Sequence, residues 1–133
     1  MEEAADQAAL IDTDILIDAS RGLIQAGVLL NDMLRGPGVS TSAISAMELI
    51  AGCRDSASLS RIKQLLGQFT IVPLTPAVSE RAQTLMETYI LSHGLALPDA
   101  LIAATALESG IALYTRNVRH FGMIPELLVI QPY

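Results

Sequence analysis

Short apolar runs and longer helical stripes follow one another along this chain. Ala8-Ala9-Leu10-Ile11, Thr70-Ile71-Val72, Ala112-Leu113-Tyr114 and Leu127 to Ile130 lack polar alternation, and Val39-Ser40 reads as the end of another such run. Five short, buried strands are therefore expected. Between them lie helical patterns. Thr75-Pro76 sets a capping hydroxyl ahead of a proline at the first helical position. Val78, Ala82, Leu85, Met86, Tyr89 and Ile90 then form one apolar face, and Gly94 is the expected stop. A second helix begins after Leu97 with Pro98 and runs to Gly110; it is apolar nearly all round, hence buried. Strands without alternation, interleaved with helices, imply an α/β fold whose mainly parallel sheet is covered on both faces. Sites in such sheets lie beyond the carboxyl ends of the strands.

Composition narrows the class. A chain of 133 residues with 51% hydrophobic and 17% charged positions supplies one well-filled core, so a single domain over 8–133 is expected behind an acidic lead, 1–7, that carries Glu2, Glu3 and Asp6. Eight basic against 14 acidic residues leave a net charge of -6, which argues against a broad basic nucleic-acid surface. A polyanionic substrate would have to be met locally. Cys53 is the single cysteine, so no internal disulfide is available and a reducing, cytoplasmic setting is expected. Neither a signal peptide nor a membrane span is anticipated.

Three acids stand out against apolar surroundings. Asp12 follows the first strand directly, where a site is expected. Glu48 is the only charged residue between Arg35 and Arg54 and falls in the stripe of Ile44, Met47 and Ala51. Asp99 is the only one from Thr88 to Leu107, in the first turn of the buried helix, where backbone N–H groups favour an anion. Each has an ordinary explanation: a turn former or N-cap for Asp12, a helix-start acid for Asp99, a carboxylate reaching solvent at the helix edge for Glu48. Their conjunction favours a shared site. Carboxylates gathered without a countercharge repel, and a divalent cation removes that penalty. Oxygen donors with no accompanying Cys or His cluster suit Mg2+ or Mn2+ rather than zinc, and such an ion activates water toward a phosphate ester.

The segments Leu10 to Asp18, Ser45 to Leu49, Leu97 to Ala106 and Tyr114 to Phe121 resemble, in order and spacing, the four signature stretches of PIN-domain ribonucleases. The likeness is nearest to the VapC-type toxins of toxin–antitoxin pairs and covers Ala8 to Tyr133. It implies a three-layer α/β/α sandwich, with Asp12 and Asp99 as the main metal ligands and Glu48 as a third acid that binds metal or orients water. It implies that Asn117, where the family has Asp or Asn, ligates through its carbonyl or holds a bound water, without adding charge. Asp14 stands where many relatives carry Asn and is an outer acid or an exposed helix-start residue; Thr13 and Thr115 are read as supporting hydroxyls. The resemblance further implies an RNA substrate, an antitoxin partner and a homodimer.

For RNA contact, Arg116 and Arg119 flank Asn117, and Arg54, Arg61 and Lys63 cluster beyond Glu48; either group could hold phosphates, although a solvated helix face is the commoner explanation. His120 is read as a surface or RNA-facing histidine, His93 as a helix-end residue, and Cys53 as a space filler. Val28, Leu29, Leu30 and Met33 offer an antitoxin groove or, more simply, the core face of an early helix. Two alternatives remain. One is a PIN-like binding module without turnover, left open by Asn117. The other, prompted by Asp12-Thr13-Asp14, is a haloacid-dehalogenase-like phosphatase, which is disfavoured because Lys63 is the only lysine and the tail from Gly122 offers only Glu126.

Overall fold

The computed structural model describes residues 9–36 and 38–133. The acidic lead 1–7, Ala8 and Pro37 lie outside the described residues. In chain order the elements are β1 (Ala9–Ile11), α1 (Thr13–Ser20), α2 (Ile24–Leu34), β2 (Val39–Ser42), α3 (Ala43–Ala51) and α4 (Ser56–Leu66). There follow β3 (Thr70–Val72), α5 (Pro76–His93), α6 (Leu97–Ser109), β4 (Ala112–Tyr114), a 3-10 turn (Val118–His120) and β5 (Val129–Ile130). The five strands form one sheet in the order β3-β2-β1-β4-β5, and every neighbouring pair is parallel.

Helices cover both faces, as an all-parallel sheet requires. Leu10 and Leu113, side by side in register, point toward α5 and α6, where Val78, Leu85, Ile102 and Phe121 complete one core. Their neighbours Ile11 and Tyr114 point the other way, into a second core with Ile15 and Leu16 of α1, Leu30 and Met33 of α2 and Leu49 of α3. Strand pleating thus splits the runs of β1, β4 and β5 between two cores, whereas β3, expected to be buried, is exposed at Thr70 and Ile71 because it lies at the sheet edge. The three-layer sandwich is as expected. Leu30 and Met33 are core residues, whereas Val28 on the same helix stands exposed.

Helix ends follow the local chemistry. The Thr75 hydroxyl accepts from the Val78 N–H at 3.2 Å, and Gly94 closes α5 in the left-handed region at φ 64°, with its N–H bonded to Ile90 O. Gly110 ends α6 in the same way, at φ 66°.

Two further strand readings change. β2 begins at Val39 instead of ending near it, and continues through Thr41 and Ser42, both fully buried. The Thr41 hydroxyl donates to Ile11 O at 2.8 Å, and Ser42 caps α3, so two polar residues serve as strand interior because neighbours satisfy them. β5 is only Val129–Ile130: Leu127 is buried ahead of it, and Leu128 O takes the Leu113 N–H at 2.9 Å.

Candidate active site

The chain leaves β1 for β2 on one side and reaches β4 on the other, so the order reverses beside β1. A crevice forms beyond the carboxyl ends of strands at such a reversal. Asp12 sits there. It is buried, 5% exposed, and its backbone N–H is bonded to Tyr114 O at 2.9 Å, tying it to the end of β4. It is also the N-cap of α1: Oδ1 accepts from the Thr13 N–H at 2.7 Å, while Oδ2 accepts from the fully buried Thr115 hydroxyl at 2.7 Å. The capping explanation holds, and it keeps Asp12 at the strand end where a site is expected.

Asp14, one residue into α1, meets the loop after β4. Its Oδ2 accepts from the Arg116 N–H at 2.9 Å and from Asn117 Nδ2 at 3.2 Å. Asn117 therefore acts here by holding Asp14, and its own N–H is taken by the Thr115 hydroxyl at 3.0 Å. Glu48, on α3, accepts from the Thr13 hydroxyl at 2.7 Å. Thr13 also lies 2.8 Å from Ser45 Oγ, which is 3.1 Å from Ser42 Oγ. A row of hydroxyls thus runs from the α3 cap to Glu48. Asp99, in the first turn of α6, has Oδ2 3.2 Å from His120 Nδ1.

Three readings are revised. Glu48 is exposed and not set in a buried stripe, because the face of α3 turned inward is Ser45, Ala46 and Leu49; Met47 lies outside, 51% exposed. His120 is at the surface but faces Asp99, since the 3-10 turn folds the chain back over the start of α6. The Arg116 guanidinium is engaged by Asp18 Oδ2 at 2.8 Å and lies 5.5 Å from the centre of the Tyr133 ring. Tyr133 OH donates to the same Asp18 oxygen at 2.8 Å. Asp18 and Tyr133 were not singled out from the sequence, because nothing local marks two residues so far apart as sharing an arginine.

The acids feel one another. Burial first, and the Asp14 charge next, push the Asp12 carboxyl from 3.8 up to about 7, with a smaller push from Asp99; the Thr115 and Thr13 hydrogen bonds act the other way. Burial also raises Asp99, His120 opposes that, and the charges of Glu48 and Asp14 add to it. Two carboxyls raised in this way are suited to a cation. Among the described residues no three His, Cys, Asp or Glu side chains are gathered closely enough to ligate one ion together. The three-acid set expected of Asp12, Glu48 and Asp99 is therefore not assembled around one point, since Glu48 lies on the exposed side of α3; the chemistry of the remaining donors fits an ion held by one or two carboxylates and several waters, as Mg2+ commonly is.

Cavities flank the acids. One of about 560 Å³ lies against Glu48, between α1, α3 and α4, with Ile17, Arg21, Leu49, Cys53 and Arg61 in its walls. Another, of about 310 Å³, lies against Asp99. Cys53 is half-buried and its thiol donates to Leu49 O at 3.4 Å.

Comparison with known proteins decides the family. The PIN domain profile matches residues 9–124, which hold every site residue named above except Tyr133. The chain belongs to the PIN domain family. Two mycobacterial relatives, Ribonuclease VapC10 and Ribonuclease VapC19 of Mycobacterium tuberculosis, are each 37% identical to it, over 119 and 120 residues. The alignments cover 89% of this chain, and 89% and 95% of those relatives. A chain of a toxin–antitoxin complex from Klebsiella pneumoniae superposes with a TM-score of 0.78 at 34% identity, covering 94% of this chain and 98% of that one. A chain of VapBC2 from Rickettsia felis, in complex with a promoter DNA fragment, superposes at 0.82 with 20% identity, covering 93% and 98%, and attests the fold. This PIN domain is of the VapC kind, and the phosphatase alternative falls away. Among its described residues no helix is long and apolar enough to cross a membrane.

Proposed function

We propose that this PIN domain is a divalent-metal-dependent endoribonuclease and the toxin of a toxin–antitoxin pair. The observation that carries this reading is the placing of Asp12, Asp14 and Asp99 together near the sheet reversal, where burial first, and then the charges of Asp14 and Asp99, raise the Asp12 carboxyl to about 7. The ribonuclease names of the two mycobacterial relatives and the toxin–antitoxin title of the Klebsiella structure support the class of activity and the partner.

Asp12 and Asp99 hold the ion, taken as Mg2+ or Mn2+. When bound, that ion supplies a polarised water and neutralises charge building on the phosphodiester. The rest falls to the chain. Thr115 and the Thr13 N–H keep Asp12 oriented, and Thr115 with Asn117 ties the loop after β4 to Asp14. Glu48, steadied by Thr13, orients the attacking water. Arg119 contacts the RNA, while Arg116, paired with Asp18, steadies the loop after β4. An antitoxin restrains the activity, and the protein acts as a cytoplasmic homodimer.

Purified protein incubated with structured RNA and Mg2+ or Mn2+ tests this. Wild type should cleave, EDTA should stop it, and Asp12→Asn and Asp99→Asn should each lose roughly a hundredfold or more. Equal cleavage by all three proteins would place the activity elsewhere. No cleavage with either metal would leave a PIN-fold binding module.

A further inference from the structure

Substrate must reach the acids across a surface of net charge -6, so the position of unengaged basic groups matters. Several arginines are already engaged: Arg116 by Asp18, Arg81 by Glu108, and Arg35, more loosely, by Asp32. Arg119 is exposed and has no carboxylate within ion-pair distance among the described residues. It lines the cavity of about 310 Å³ against Asp99, together with His93 from the end of α5 and His120. His120 is committed to Asp99. His93 has Nδ1 2.8 Å from Ser92 Oγ, which leaves its other ring nitrogen free of any protein partner among the described residues. Leu95, almost fully buried, and Met123, half-buried, add an apolar wall.

Nitrogen donors, an apolar wall and a volume at the small end of ligand pockets suit one phosphate-bearing nucleotide. A polarizable thioether suits the face of a base, in a chain with few aromatic rings to stack on. The cavity shares Asp99 with the acid cluster, so a nucleotide in it adjoins the acids.

We propose that the cavity between the end of α5 and the 3-10 turn is a nucleotide subsite for the RNA residue adjoining the cleaved bond. Arg119 is its principal phosphate contact, and the half-buried Met123, backed by Leu95, receives the base. This rests on the ribonuclease reading above. It separates the two arginines that flank Asn117: Arg119 grips substrate, while Arg116 is held within the fold by Asp18 and Tyr133.

Isotope-labelled, metal-free protein titrated with each of the four nucleoside 5′-monophosphates, followed by NMR, tests the subsite directly. Saturable shifts at His93, Arg119, His120 and Met123 are expected with at least one nucleotide. Arg119→Gln should weaken them about tenfold or more, and Arg35→Gln should leave them unchanged. Shifts confined to the Arg21 and Arg61 side, shifts that survive Arg119→Gln undiminished, or no saturable shift at all would overturn the subsite. In the cleavage assay Arg119→Gln should raise KM about tenfold with kcat near wild type. Wild-type kinetics in that variant would overturn the subsite and leave the ribonuclease reading standing. Absence of cleavage by either protein would overturn the ribonuclease reading, and the titration would still report on the cavity.

Discussion

Thr115 shows how much depends on one hydroxyl. Fully buried, it donates to Asp12 and accepts from the Asn117 N–H, so it joins an acid that follows β1 to the loop that follows β4. Its hydrogen bond opposes the burial that raises Asp12. Thr115→Val keeps the shape and removes both contacts. The Asp12 carboxyl should then titrate above its wild-type value, as read by 13C NMR, and the fold should lose about 1–3 kcal/mol for the orphaned groups. An unchanged titration would mean that the hydroxyl does not support the carboxylate. At this scale the sequence is a good guide to where Asp12 and Asp99 stand in the fold, since a lone acid at a strand end or in the first turn of an apolar helix is visible in one dimension. It was a poor guide to His120 and Arg116, whose partners, Asp99 and Asp18, lie 21 and 98 positions away.

Among the elements, α3 carries Glu48 and owes its starting point to a cap. Ser42 is the last residue of β2 and the N-cap of α3, its buried hydroxyl accepting from the Ser45 N–H at 3.0 Å. Ser42→Ala should cost about 1–2 kcal/mol in urea denaturation, because the Ser45 N–H is left without a partner in a dry setting. A loss within experimental error would show that α3 is held by Leu49 and Ala46 packing alone. This strand-to-helix junction was hard to read in advance. Thr41 and Ser42 are polar, and only the carbonyl of Ile11 on the adjacent strand and the cap of α3 make them acceptable inside. The ends of α5 and α6 needed no such help, since Pro76, Pro98, Gly94 and Gly110 act through their own backbone preferences.

For the whole molecule, the acid cluster couples stability to pH and to metal. Asp12 titrates at about 7 when folded and near 3.8 when unfolded, so the native state holds the proton more tightly. Metal-free protein should therefore lose stability as pH rises from about 4 to about 7, with no further loss from this group above that. A divalent ion binds the ionised form, so its stabilisation should be largest above pH 7 and fade below it. At a hundredfold excess over its dissociation constant Mn2+ should contribute about 2.7 kcal/mol. For a chain of this size that is a melting-temperature rise of roughly 10 °C at pH 8. Asp99→Asn should reduce the rise. A melting temperature indifferent to Mn2+ at pH 8 would remove the metal from the account.

Periodicity and punctuation were enough to mark the five-stranded sheet, the two long helices and the layered architecture, because burial on both faces of a parallel sheet and the backbone limits of proline and glycine are written locally. Where the acids meet, and what each is held by, came only with folding. Asp12, Glu48 and Asp99 lie on three separate elements, and their approach depends on a sheet order that reverses beside β1, a relation among distant strands that no stretch of chain encodes alone. The same holds for the hydroxyls and arginines around them, whose role is set by which distant partner takes the hydrogen bond.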